Sequence, residues 1–252
     1  MWVRVLCMGL LIVSNEFYQT NPCIFYGDLL YIDVGNVVHI KMMTMNFDNL
    51  TLEILENLNT YATTIVTGVS LSSPRAVGDA VQEYLAKTGL PMVLENYGIN
   101  VKSDFSRRSM EDIAFHDNNG NYYAIDVKTH NTGTKFNMPN LISVKRLANF
   151  YKTETNHFYI LIVSYGVSDG KLAFTSCHFK PIESFDWGCL TLGALGWGQI
   201  QITNANNLQF NEMISRGEWM NVMCERLNDF YTEELKKINE RKVWFENYGR
   251  ND

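Results

Sequence analysis

The chain has 252 residues, of which 46% are hydrophobic, 13% aromatic and 19% charged, with a formal net charge of −6. That composition supplies material for a sizeable core and excludes collagen-like, coiled-coil and disordered chains. No apolar run reaches the roughly 18 residues a membrane helix needs, and an acidic balance argues against a generic coating protein for nucleic acid.

The five cysteines are odd in number and widely spaced, with no C-x-x-C. A disulfide framework or zinc cluster is therefore not expected, and a reducing cytoplasm fits. Charge is uneven along the chain. Residues 101–180 hold ten Lys/Arg against seven Asp/Glu, and the remainder holds 11 against 20. A polyanion facing the middle of the chain would explain the excess, and so would chance.

Residues 1–44 read as an N-terminal extension, with short strands at Cys23–Tyr26 and Leu29–Ile40 broken at Gly35-Asn36. Methionines cluster at Met42, Met43 and Met45, so the segment is either upstream translation or a β-appendage. The main domain is expected over 45–252. A helix begins after Asn46 or Asp48, with Leu50, Leu52, Ile54, Leu55 and Leu58 apolar. A second is capped by Ser73 with Pro74 in its first turn, and Gly89 is expected to end it. Pro91 to Tyr97 reads as another short helix. Asp112–Phe115 and Tyr122–Val127 read as a hairpin around Asn119-Gly120. Leu141–Tyr151 has helical spacing. His157–Tyr165 is a strand buried on both faces, Leu172–Phe179 its neighbour, and Gln199–Ile202 a short strand. A long helix from Glu218 to Phe245 should turn Trp219, Met223, Leu227, Phe230, Leu235 and Ile238 inward. This order predicts an α/β fold, a mixed sheet flanked by helices.

The hairpin carries the chemistry. Residues two apart in a strand share a face, so Asp126 and Lys128 project together while Val127 enters the core. Pairing brings Asp112 beside them. Adjacent carboxylates repel unless a cation lies between them, and Mg²⁺ is a hard ion that accepts one or two carboxylates plus waters and a phosphate. A neighbouring lysine suits phosphodiester hydrolysis. D-x-K alone is common, however, and otherwise marks two solvated charges at a strand end.

Three segments in order resemble the PD-(D/E)xK nucleases, and more narrowly the HincII and HpaI group of type II restriction endonucleases. They are Met110–Ile113 with Tyr123–Thr129, then Pro139–Ser143, then Ala194–Ile202. The resemblance runs from about Ser73 to the C-terminus and implies a restriction-endonuclease-like fold. It implies Asp112, Asp126 and Lys128 as catalytic residues and Asp112 and Asp126 as metal ligands. Either Asp79 or Glu83 would support the metal, with Glu83 the expected ligand. Glu111 stands where the family usually has proline, and strand alternation turns it away from Asp112.

Residues 130–140 resemble the recognition loop. The expected DNA contacts are His130, Asn131, Thr134, Lys135, Asn137 and Asn140, with Gln199 and Gln201 from the later strand; Thr132 is a further candidate. Asn137 matches a residue that wedges into the base stack. Asn140 is equally readable as a helix cap. Arginine, the usual bidentate partner of guanine, is missing from 130–140 and 193–207, which leans towards an A·T-rich target. The resemblance implies a homodimer cutting a palindrome in double-stranded DNA with Mg²⁺ and leaving blunt ends. It also implies a cognate methyltransferase, a cytoplasmic location and no membrane association. The alternatives are a structure-specific repair or recombination nuclease of the same superfamily, and a DNA-binding module without activity.

Overall fold

The computed structural model describes residues 46–106 and 109–248, together with the backbone of three earlier strands. Those strands, β1 (Cys23–Tyr26), β2 (Leu29–Val34) and β3 (Val37–Met42), form an antiparallel meander of their own. Residues 1–22 and 43–45, on which the question of the translation start turns, lie outside the described residues.

The helices begin where polar caps precede apolar spacing. In α1 (Phe47–Thr60) the Asn46 side chain accepts from the backbone N–H of Asp48 and Asn49, and Leu50, Ile54 and Leu58 are buried. One turn, α2 (Ala62–Ile65), follows. In α3 (Pro74–Tyr84) the Ser73 hydroxyl accepts from Ala76 N–H. Gly89 does not end this run as the sequence suggested. The helix passes through a π-helical turn at Leu85–Gly89 into α4 (Leu90–Glu95). Gly89 is needed there for contact rather than termination, because a Cβ would sit 2.7 Å from the Tyr84 ring. Pro91 stands in the first turn of α4, directly after the π-helical turn, a position where proline is tolerated.

The central sheet has the order β4 (Val101–Lys102), β5 (Ile113–His116), β6 (Tyr122–Asn131), β8 (Asn156–Ser168), β9 (Lys171–Pro181). All neighbours are antiparallel except β6 and β8, which run parallel with Asp126 opposite Ile160 and Lys128 opposite Ile162. A parallel neighbour requires a crossover, and that connection carries β7 (Asn140–Ser143) and α5 (Val144–Phe150). Alternation divides the core between the two faces. Ile113, Phe115, Ile125, Val127, Leu161 and Val163 pack with α1, α3 and α4. Ala124, Phe158, Ile160 and Ile162 pack with α5 and the aromatic pair Trp187 and Trp219. This is a mixed α/β architecture with helices on both faces, as expected.

Two elements depart from expectation. The start of the helix read over Leu141–Tyr151 is instead strand β7. It pairs with β11 (Gln199–Ile202) beside β10 (Leu190–Gly193), in a second, three-stranded antiparallel sheet. Leu141 and Ile142, adjacent in sequence, are both buried, which a surface helix start would not satisfy. Asn140 is accordingly a strand residue opposite Gln201 and not a helix cap. The final helix, α6 (Arg216–Tyr248), opens on a reciprocal capping box between Ser215 and Glu218. Only Trp219 and Met223 are buried in it. Leu235 and Ile238, expected inward, are 62% and 52% exposed, because α6 runs on beyond the core its first turns pack against.

Candidate active site

Strand β6 carries the site out of the core. Ile125 and Val127 face the first helices, so alternation puts Asp126 and Lys128 together on the opposite face. Asp112 lies one residue before β5. Its backbone N–H donates to Ile125 O at 2.9 Å, and its Oδ2 accepts from Val127 N–H at 2.8 Å. The hairpin thus holds one carboxylate against the strand that carries the other. Lys128 Nζ donates to Asp126 Oδ1 at 2.6 Å. The structure brings the three expected side chains together.

Asp126 is 6% exposed, and its Oδ2 has no hydrogen-bond partner. Burial pushes its carboxyl up to about 7, Lys128 works against that shift, and the Asp112 carboxylate adds to it. An ionised, buried oxygen without a partner is costly. A hard divalent cation would supply the missing partner, and a pair of carboxylates fits an ion that, like Mg²⁺, takes oxygen ligands and keeps several waters. Among the described residues no group of three or more His, Cys, Asp or Glu is placed to hold a metal. The fit therefore rests on Asp112 and Asp126 alone.

The third expected ligand, Glu83, does not join Asp112 and Asp126. Glu83 forms an ion pair with Lys87 at 2.6 Å on the exposed side of α3, and is not in the wall of the cleft beside Lys128. Asp79, one turn earlier, is in that wall. The cleft, about 350 Å³, lies between α3 and the end of β6, with Arg75, Asp79 and Gln82 on one side and Lys128, Asn131 and Asn137 on the other. Its floor depends on Gly78, where a Cβ would approach Thr129 Oγ1 to 2.7 Å.

Glu111 turns away as alternation required. It accepts from the Tyr122 hydroxyl at 3.1 Å and from Met110 N–H at 2.9 Å.

The recognition-loop candidates divide. Asn131 closes a turn, its side chain accepting from Gly133 N–H at 2.8 Å. Thr134 and Asn137 line the cleft, and Lys135 is exposed. The Thr132 hydroxyl donates to Tyr165 O. Gln201 donates to the Asn140 side chain, and Gln199 stands opposite Ser143.

His130 is different, since it is 2% exposed and cannot reach a ligand directly. Asn206 donates through Nδ2 to Thr134 O at 3.0 Å, which fixes its Oδ1 towards His130 Nε2 at 2.9 Å. Nε2 is then the donor, and Nδ1 accepts from Asn137 Nδ2 at 3.2 Å. His130 therefore supports the loop from beneath and ties Asn137 down.

Four residues escaped the sequence reading. Asn204 and Asn206 stitch the segment after β11 to Lys135 O, and the run Asn204-Ala205-Asn206-Asn207 was their only signal. Phe136 and Met138 are 62% and 42% exposed. They alternate with Lys135 and Asn137 at the loop tip, a pattern that looks like two core residues in sequence.

No family model and no curated protein matches the sequence. Among solved structures, the chain is similar to Hjc, a Holliday junction resolvase of the archaeal hyperthermophile Archaeoglobus fulgidus. The TM-score is 0.29 and the identity 18%, covering 46% of this chain and 86% of that one.

Proposed function

We propose that the chain is a Mg²⁺-dependent, sequence-specific endonuclease of the type II restriction class, with Asp112, Asp126 and Lys128 as its catalytic set. The observation that carries this reading is the buried Asp126 carboxylate with one oxygen bonded to Lys128 and the other unpartnered, beside Asp112. The three sequence segments that resemble the HincII and HpaI group support it.

Asp112 and Asp126 would hold the metal, which when bound supplies Lewis-acid polarisation of the scissile phosphate and neutralises its charge. Asp126 fixes Lys128 Nζ at the cleft edge. From there the ammonium orients the attacking water and hydrogen-bonds to the charge growing on the phosphoryl oxygens. Asn137, Thr134 and Lys135 meet the duplex from the loop, with Gln199 and Gln201 alongside.

Asn137 is held back by His130, and Phe136 is more exposed than Met138, the other apolar side chain at the tip. An apolar wedge that unstacks a base step is the usual device of proteins that kink DNA. Phe136 replaces Asn137 in that role. In this reading a homodimer cuts both strands of an A·T-rich palindrome, leaves blunt ends and acts in the cytoplasm beside a protective methyltransferase.

Sequencing the ends left on plasmid DNA tests the reading. One short A·T-rich palindrome with flush ends is expected. Scattered nicks, or cutting confined to branched junctions, would overturn the type II assignment.

A further inference from the structure

From Cys224 onward α6 continues for 25 residues to Tyr248 with none of them buried. At 1.5 Å per residue that is roughly 37 Å of helix. This stretch is not polar. The stripe that packs on the body through Trp219, Met223 and Leu227 continues through Tyr231, whose hydroxyl donates to Trp197 O at 2.6 Å. Past that point it reaches Leu235, Ile238 and Phe245, each more than half exposed. The steps of four, three and seven residues keep these side chains on one side of the helix, with Lys242 the one charged position in the seam. At the tip, Trp244 stacks on Tyr248 at 5.3 Å and meets Phe245 edge-on at 4.8 Å.

We propose that the outer half of α6 pairs antiparallel with the same helix of a second copy of this chain, centred near Leu235 and Ile238. Charge selects this occupant and its direction. Residues 224–234 hold four acids and one base, whereas residues 235–248 hold four bases and two acids. Antiparallel pairing lays the acidic half of each helix on the basic half of the other. Parallel pairing stacks like on like, and like charges across an interface are unfavourable.

The area is close to what such an interface needs. Burying the exposed parts of the seam residues Tyr231, Leu235, Ile238 and Phe245 removes about 350–400 Å² of largely apolar surface per copy. A standard interface takes about 800 Å² per partner, somewhat over half of it apolar. The inference rests on α6 alone and does not depend on the chemistry of the cleft. The same charge asymmetry also complements the dipole of the helix itself, so the test addresses association directly.

The full chain is examined by sedimentation equilibrium and compared with Leu235→Asp/Ile238→Asp, with far-UV circular dichroism as the folding control. Wild type is expected to be a dimer, and the variant to dissociate with at least a hundredfold rise in dissociation constant and unchanged helicity. Orientation is read from spin labels on Asn247→Cys in a background with Cys7, Cys23 and Cys224 replaced by serine, Cys177 and Cys189 being buried. Antiparallel helices place the labels roughly 30 Å apart, and parallel ones within about 15 Å. A monomeric wild type would overturn the proposal, whether residues 1–45 or another protein cover the stripe. A dimer indifferent to the double substitution, or labels close together, would also overturn it.

Discussion

Replacing Asp126 with asparagine should remove metal-dependent cleavage and at the same time stabilise the metal-free protein above neutral pH. Burial holds this carboxyl near 7 in the folded chain against 3.8 for an ordinary aspartate. Below about pH 4 it is protonated in both folded and unfolded chains, and no penalty arises. Between about pH 4 and pH 7 the unfolded chain releases the proton while the folded chain keeps it, so stability falls as pH rises. Above about 7 the group is ionised in both states and the full cost of roughly 4 kcal/mol remains.

Asparagine carries no charge and escapes that cost, but its amide needs a partner beside Lys128, which returns about 1–2 kcal/mol. The expected net gain for Asp126→Asn is therefore about 2–3 kcal/mol at about pH 8.5 in chelator, reversing to a loss of about 1–2 kcal/mol near pH 4, where only the amide penalty remains. Urea unfolding of both proteins across this range measures it. Mg²⁺ should close the gap by stabilising wild type alone, since binding to the folded state adds stability. A variant no more stable than wild type at high pH in chelator would refute the argument that Asp126 is a buried, under-satisfied acid.

Three further substitutions probe the surroundings. Gly78→Ala should destabilise by about 1–3 kcal/mol through the clash with Thr129 Oγ1. Adding Thr129→Ala should recover most of the loss, and additive effects in unfolding experiments would contradict a direct contact. His130→Phe keeps the ring but strands the Asn137 amide and Asn206 carbonyl. It should cost about 1–3 kcal/mol and loosen residues 131–138, which amide hydrogen exchange reads; unchanged protection would count against the His130 bridge. Phe136→Ala leaves the core untouched. It should weaken binding to the target duplex in Ca²⁺ by about 1–3 kcal/mol, the scale of base–aromatic stacking, and equal binding of both proteins would remove Phe136 from the interface.

How legible the molecule was in its sequence depended on the range of the signal. Asn46 and Ser73 announced their helices because a cap acts within three residues. That Asp112, Asp126 and Lys128 lie together was legible because an Asn-Gly turn and strand alternation fix who faces whom across a hairpin. The sequence did not show that Asp79 and not Glu83 lines the cleft, because which face of α3 meets β6 is decided by Gly78 against Thr129, a contact 51 positions apart in sequence. Strand β7 was read as helix because its partner Gln199–Gln201 lies some sixty residues later, and pairing at that distance leaves no local trace. The periodicity of α6 was read correctly, but periodicity shows which side is apolar and not whether anything packs against it. Likewise, His130 resembled a loop residue because its partner Asn206 lies 76 positions later.

The central claim is that Asp112, Asp126 and Lys128 form one metal-dependent site that cuts DNA. The most direct measurement incubates supercoiled plasmid in Mg²⁺ with wild type, Asp112→Asn, Asp126→Asn and Lys128→Ala, each shown to be folded and to bind DNA in Ca²⁺. Wild type is expected to give discrete linear fragments and to stop in excess chelator. Each variant is expected to leave the plasmid intact. Cleavage at a near-normal rate by any one of the three variants, or by wild type in chelator, would contradict the account.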